Sequence, residues 1–114
     1  MIPRTTRGSL TTSTASIYTP GSDRYSMVER IQITNVDTTA APIYVKVASS
    51  VDSNYLLAVT LSPSETVILD NAVVALANGE WIAAWIHGGT LYTVDYVVTA
   101  KEYPRSMGFD NAQD

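Results

Sequence analysis

The chain has no cysteine, which excludes a disulfide framework and any thiolate metal site. It is also poor in charge: 16% of its residues are Asp, Glu, Lys or Arg, against about 25% in an average soluble domain. The seven basic residues form no cluster, and the net charge is −4. A nucleic-acid partner needs a basic stripe to displace counterions from phosphate, so none is expected, and anionic membrane surfaces are disfavoured for the same reason. No apolar run approaches the roughly 20 residues of a membrane span. Met1-Ile2-Pro3-Arg4 is not followed by the apolar stretch of a secretory signal. A shortage of charge leaves neutral surface for something else to cover, which favours a domain living inside an assembly.

What is present is short alternation of apolar and polar residues, rich in Val, Ile, Thr and Tyr. It runs through Val28-Glu29-Arg30-Ile31-Gln32-Ile33-Thr34, Pro42-Ile43-Tyr44-Val45-Lys46-Val47, Thr66-Val67-Ile68-Leu69 and Leu91-Tyr92-Thr93-Val94-Asp95-Tyr96-Val97-Val98. Period two over short segments is the pattern of half-buried antiparallel strands. With 114 residues the chain supports one domain. The expected fold is all-β: a two-sheet antiparallel β-sandwich of about eight strands, Ig-like or jelly-roll, with extended N- and C-terminal arms.

Residues 1–14 are rich in Ser and Thr, with Ile2 and Leu10 the large apolar groups. Such a segment cannot order itself alone; it is expected to be either a frayed terminus or an arm that orders against a neighbouring subunit, with Arg4 and Arg7 as polar anchors. The sandwich domain is expected over 15–103 and a tail over 104–114. Along residues 25–36 the alternation places Met27, Ile31 and Ile33 on one side, with regular pairing beginning at Arg30. Residues 35–39 close that strand with side chains that mimic turn hydrogen bonds, predicting a hairpin between 28–36 and 42–47. Residues 70–77 read as irregular or extended chain, with one helical turn as the alternative.

Chemistry is nearly silent. His87 is the only histidine, and it precedes Gly88-Gly89 in an apparent turn with no glycine-flanked serine elsewhere, so nucleophilic catalysis has no constellation. The carboxylates are scattered singly, too sparse for a calcium loop. No catalytic, cofactor or metal residue is therefore assigned, and the chain is expected to be no enzyme.

Residues 80–86 are the oddest strand. Ile82, Ala84 and Ile86 form one face and Trp81, Ala83 and Trp85 the other, so both faces need cover. Aromatic residues on a strand serve the core more often than an interface. Trp81, Trp85, Tyr92 and Tyr44 nonetheless make the one notable constellation, because Trp and Tyr dominate binding hot spots. Ile2, Arg4, Arg7, Leu10 and Phe109, from the two terminal segments, complete the candidate interface set. Exposed aromatics on a β-surface also suit stacking on sugar rings, which makes a glycan- or receptor-binding module the alternative.

The stretch Ile31-Gln32-Ile33-Thr34-Asn35-Val36-Asp37-Thr38-Thr39-Ala40-Ala41-Pro42-Ile43-Tyr44-Val45-Lys46-Val47 resembles the strand, Thr-Asn, turn, strand unit of small virion proteins of tailed bacteriophages. The later Leu76-Ala77-Asn78-Gly79-Glu80-Trp81-Ile82 and a last strand ending in Glu102-Tyr103 extend the resemblance over residues 16–103. It is a pattern of turns and hydrophobic positions rather than a fingerprint. The resemblance implies a β-sandwich that decorates and stabilises a capsid (a cement protein) or serves as a tail or head–tail accessory, often as a homotrimer. Its partners would be itself and the major capsid protein, with no cofactor, and its place the virion surface. Family members have no catalytic residues to carry over.

Overall fold

The alternating segments form strands from end to end. The computed structural model describes residues 1–104, and no helix occurs among them. In chain order the strands are β1 (Ile2–Ser9), β2 (Ala15–Tyr18), β3 (Arg24–Asn35), β4 (Ala41–Ala48), β5 (Ser53–Leu61), β6 (Thr66–Leu69), β7 (Val74–Leu76), β8 (Trp81–Ile86) and β9 (Val94–Pro104). They make two antiparallel sheets packed face to face, a β-sandwich. The first sheet has the order β1-β9-β3-β6, with β7 also on β3; the second has the order β2-β8-β4-β5. Only the β4–β5 and β6–β7 connections stay within one sheet. With β6 and β7 read as one interrupted strand, this is the eight-strand, two-Greek-key connectivity of a jelly roll, which decides between the two topologies the sequence left open.

The inward rows meet across the middle. Ile31 and Ile33 of β3 and Val94 and Val98 of β9 face Ile43 and Val45 of β4 and Ile82 and Ile86 of β8, all essentially without solvent exposure. Each such side chain contributes about 1.5–3 kcal/mol by leaving water.

Several sequence expectations change. Strands β3 and β4 are not a hairpin: β3 pairs with β6, β7 and β9, while β4 pairs with β5 and β8. Their apolar rows face each other across the core, so the turn must carry the chain from one sheet to the other. Asn35 holds that crossing. Wholly buried, it donates from Nδ2 to the carbonyls of Thr39 and Leu61, each at 2.9 Å, and accepts from the Asp37 amide at 2.9 Å. The turn mimicry expected of residues 35–39 is therefore present.

The phase of β3 also changes. The register slips between Val28 and Arg30, so Glu29 is the extra residue of a bulge. Ser26 and Val28, not Met27, join Ile31 and Ile33 inside.

Residues 2–9 are not a free arm but the edge strand β1, paired with β9 from Ile2↔Glu102 to Ser9↔Asp95. The ladder to β9 supplies the order that the composition could not. Leu10 is a core residue, 4% exposed, because the chain turns inward there to reach β2. The last strand begins at Val94, and Leu91 stays 67% exposed.

Between β6 and β7 the chain leaves β3 at residues 70–73, where Asn71 and Ala72 have φ of 64° and 60°. Two successive left-handed residues are the mark of a type I′ turn, whose second position favours glycine. An alanine there carries a Cβ penalty of about 1–2 kcal/mol, partly offset by the greater freedom of an unfolded glycine. Ala72→Gly is therefore expected to raise unfolding stability by about 0.5–1 kcal/mol, measured by the urea midpoint; an unchanged or lower midpoint would contradict this account of the turn.

Candidate interaction surface

The two outer faces of the sandwich differ in chemistry. On the first sheet, exposed polar groups satisfy one another. Lys101 Nζ pairs with Glu29 at 3.1 Å, Arg30 donates to Gln32 at 3.2 Å, and Ser9 donates to Asp95 at 2.7 Å. The hydroxyls of Thr34 and Thr66 meet at 2.8 Å. Its large aromatics, Tyr25 and Tyr103, stack on each other with centroids 5.2 Å apart.

On the second sheet the outer face is aromatic. The β4–β8 register sets Tyr44 opposite Trp85 and Ala48 opposite Trp81, while the β4–β5 register sets Lys46 opposite Tyr55. The rings of Tyr44 and Trp85 lie 5.3 Å apart, and Tyr55 meets Tyr44 edge-on at 5.6 Å and Trp85 at 6.1 Å. His87 stacks on Tyr44 at 4.7 Å, nearly parallel at 12°. The Lys46 ammonium sits 5.3 Å from the centre of the Trp85 ring, a cation–π contact. Trp81 and Trp85 are both half-buried and Tyr55 is 62% exposed. Beside Trp81 an open groove of about 410 Å³ is lined by Lys46, Ser49, Asp52 and Ser53, with Val51 on its rim 91% exposed.

The other candidate residues fall elsewhere. Ile2 is half-buried on β1, and Arg7 is exposed at the same edge. Tyr92 packs partly against the core, away from the Tyr44 cluster, because the chain enters β9 only at Val94. Phe109 lies outside the described residues. Arg4 turns its guanidinium to Glu102 of its own chain. Sequence reasoning missed Tyr55, Lys46 and His87 as members of the cluster, since the pairing of β4 with β5 and β8 that brings them together is set by the tertiary fold.

Arg4 belongs to a buried ionic knot that sequence reasoning also missed. Glu102, wholly buried on β9, accepts from Tyr18 at 2.5 Å, from Arg24 at 2.9 Å and from Arg4 at 3.2 Å. The Gly21 amide adds a donor at 3.3 Å, and a Cβ on Gly21 would stand 3.2 Å from the Glu102 oxygen, so glycine permits the approach. Tyr18 also shares a 2.7 Å bond with Ser26. Burial pushes the Glu102 carboxyl up; the bonds from Tyr18, Arg24 and Gly21, with the Arg4 charge, outweigh it and hold the group below its usual 4.5. Burial and the Glu102 carboxylate push the Tyr18 phenol well above its usual range.

A lowered folded pKa means stability that is fully present above the unfolded value and lost as pH falls through the folded one. The unfolding free energy is therefore expected to decline as pH drops below about 4.5, and Glu102→Gln is expected to flatten that decline. Urea titrations across pH 2–6 measure it; parallel pH profiles for the two proteins would contradict the role of Glu102.

Among the described residues no group of three or more His, Asp or Glu side chains converges on a metal site. Among the same residues no helix is long and apolar enough to cross a membrane.

No family model matches the sequence, and no curated protein matches it. Solved structures similar to the chain include three of different kinds. A subunit of the disulfide-linked pili of Bacillus endospore appendages superimposes with TM-score 0.51 at 13% identity, covering 90% of this chain and 84% of that one. PirA does so at 0.49 and 12%, covering 87% and 93%. A pentameric capsid protein from metagenomic phage sequences gives 0.43 and 15%, covering 90% and 68%. At 13% identity the likeness to the pilus subunit is one of fold alone; the jelly-roll architecture follows from the chain's own strand order.

Proposed function

We propose that this chain is a non-enzymatic structural protein of a tailed-phage virion, a capsid decoration protein that docks through the outer face of its second sheet. The observation that carries this reading is the contrast between the two faces. One closes its polar groups on itself, and the other presents Tyr55, Trp85, Tyr44 and Trp81 with a single lysine among them. Large aromatic side chains bury wide area at low entropic cost, and they anchor the centres of interfaces. At about 25 cal/mol per Å² of apolar area, a few hundred Å² covered per contact outweighs the side-chain ordering that contact imposes. The resemblance to small virion proteins supplies the phage setting and the capsid partner. Assembly through covalent links, as in the disulfide-linked pili, is closed to a chain without cysteine.

Mass spectrometry of purified particles of the encoding phage tests this. The chain is expected in fixed proportion to the major capsid protein, surviving repeated gradient purification. Its absence from such particles would overturn the reading.

One observation favours a second reading, a glycan-binding module. The groove beside Trp81 is lined by the polar residues Ser49, Asp52 and Ser53 together with that aromatic ring. Reproducible sugar binding on a glycan array, lost in Trp81→Ala, would favour that reading; a blank array would remove it.

A further inference from the structure

Among the described residues the sandwich has four strand edges, and three are guarded. Edge strands expose unpaired backbone donors and acceptors, and proteins blunt them with charge, proline or shortness. Strand β1 carries Pro3, Arg4 and Arg7. Strand β2 has only four residues, is followed by Pro20, and is tied to β1 by the Thr6 hydroxyl bonding the Ile17 carbonyl at 2.9 Å. Strands β6 and β7 have four and three residues and are split by the loop at 70–73.

Strand β5 is different. Its nine residues, Ser53–Leu61, contain no charge and no proline. Its one irregularity is the bulge at Leu56, between Tyr55 and Leu57 in the register with β4, which leaves Leu57–Leu61 regular. Along this side of the sandwich Leu57 and Val59 of β5 and Val67 and Leu69 of β6 are only partly covered, and Ile68 is 44% exposed.

We propose that β5 is the site of self-association, pairing antiparallel with β5 of a second copy about a two-fold axis at Val59. An unpaired edge is complemented by another strand, and the sequence of β5 suits its own copy. With Val59 facing Val59, the inward Leu57 meets Leu61 and the outward Ala58 meets Thr60, so apolar groups cover apolar groups. No like charges oppose one another across the pair, a condition on which cross-strand stability depends. The contact is isologous and closes at two copies. The second sheets then join into one eight-stranded sheet whose outer face carries both aromatic clusters. This inference stands on the edge alone and holds whether or not the protein belongs to a virion.

Sedimentation equilibrium of the full chain tests it with two variants at outward, exposed positions. The unaltered chain is expected to be dimeric. Ala58→Lys with Thr60→Lys sets like charges opposite each other and is expected to raise the dimer dissociation constant at least tenfold. Ala58→Lys with Thr60→Glu sets opposite charges there and is expected to restore it to within a few-fold, with circular dichroism confirming that both variants fold. A chain that is monomeric at millimolar concentration, a trimer, or two variants that associate equally would each overturn the proposal.

Discussion

Replacing Glu102 by alanine is expected to lower the unfolding free energy by about 3–5 kcal/mol, the cost of removing one member of a buried ionic group. The carboxylate is the common acceptor for donors from four places: Arg4 of β1, Tyr18 of β2, Gly21 of the following turn and Arg24 of β3. Without it the Tyr18 hydroxyl keeps only Ser26, inside the core. Arg4 and Arg24 lose the carboxylate they share, although both retain some contact with water. Glu102→Gln keeps the shape and loses the charge, so about 1–3 kcal/mol is expected there. Two-state urea unfolding of the three proteins measures the series. Hydrogen exchange adds a local readout, because β1 is fastened at its start by Arg4 and should lose protection first. A loss below about 1 kcal/mol for the alanine variant, on the scale of an exposed ion pair, would show that the knot is not structural.

The second large effect concerns binding. Tyr55→Ala and Trp85→Ala are each expected to cost about 2 kcal/mol or more in attachment, roughly thirtyfold in affinity. Both side chains lie on the outer face of the second sheet and outside the core cluster, so the variants should remain folded. Trp85 is expected to matter more, because its ring contacts Tyr44, Tyr55 and Lys46 together and its loss loosens the whole cluster. Co-sedimentation with particles lacking the chain measures both. Arg30→Ala, on the polar sheet, is the control and should bind as the unaltered chain does. Equal binding by all three would place the contact elsewhere.

The sequence made the two-sheet β-architecture legible because period-two alternation is imposed locally by the pleat. The division of β8 into an Ile82, Ala84, Ile86 face and a Trp81, Ala83, Trp85 face was readable for the same reason, but not which face points outward, since neither is polar. Connectivity was not readable at the β3–β4 turn. The same Asn35–Asp37 turn chemistry serves a hairpin or a crossing between sheets, and the choice rests on Asn35 reaching Leu61, far along the chain. The bulges at Glu29 and Leu56 hid the true phase of β3 and the outward direction of Tyr55, because one extra residue reverses every side chain beyond it. Strand β1 was hidden because its order comes from β9 rather than from its own composition. The inward position of Glu102 was within reach: it continues the row Val94, Tyr96, Val98, Ala100, where a carboxylate at a core position implies partners.

The claim on which the function rests is that the aromatic face of the second sheet is covered in the working assembly. Hydroxyl-radical footprinting with mass spectrometry, on the free chain and on the chain within purified particles, tests it most directly. Tyr55, Trp81 and Trp85 should lose most of their labelling in the particle, while Tyr25 and Tyr103 on the opposite sheet keep theirs. Labelling of Tyr55, Trp81 and Trp85 that is the same in both states would contradict the account.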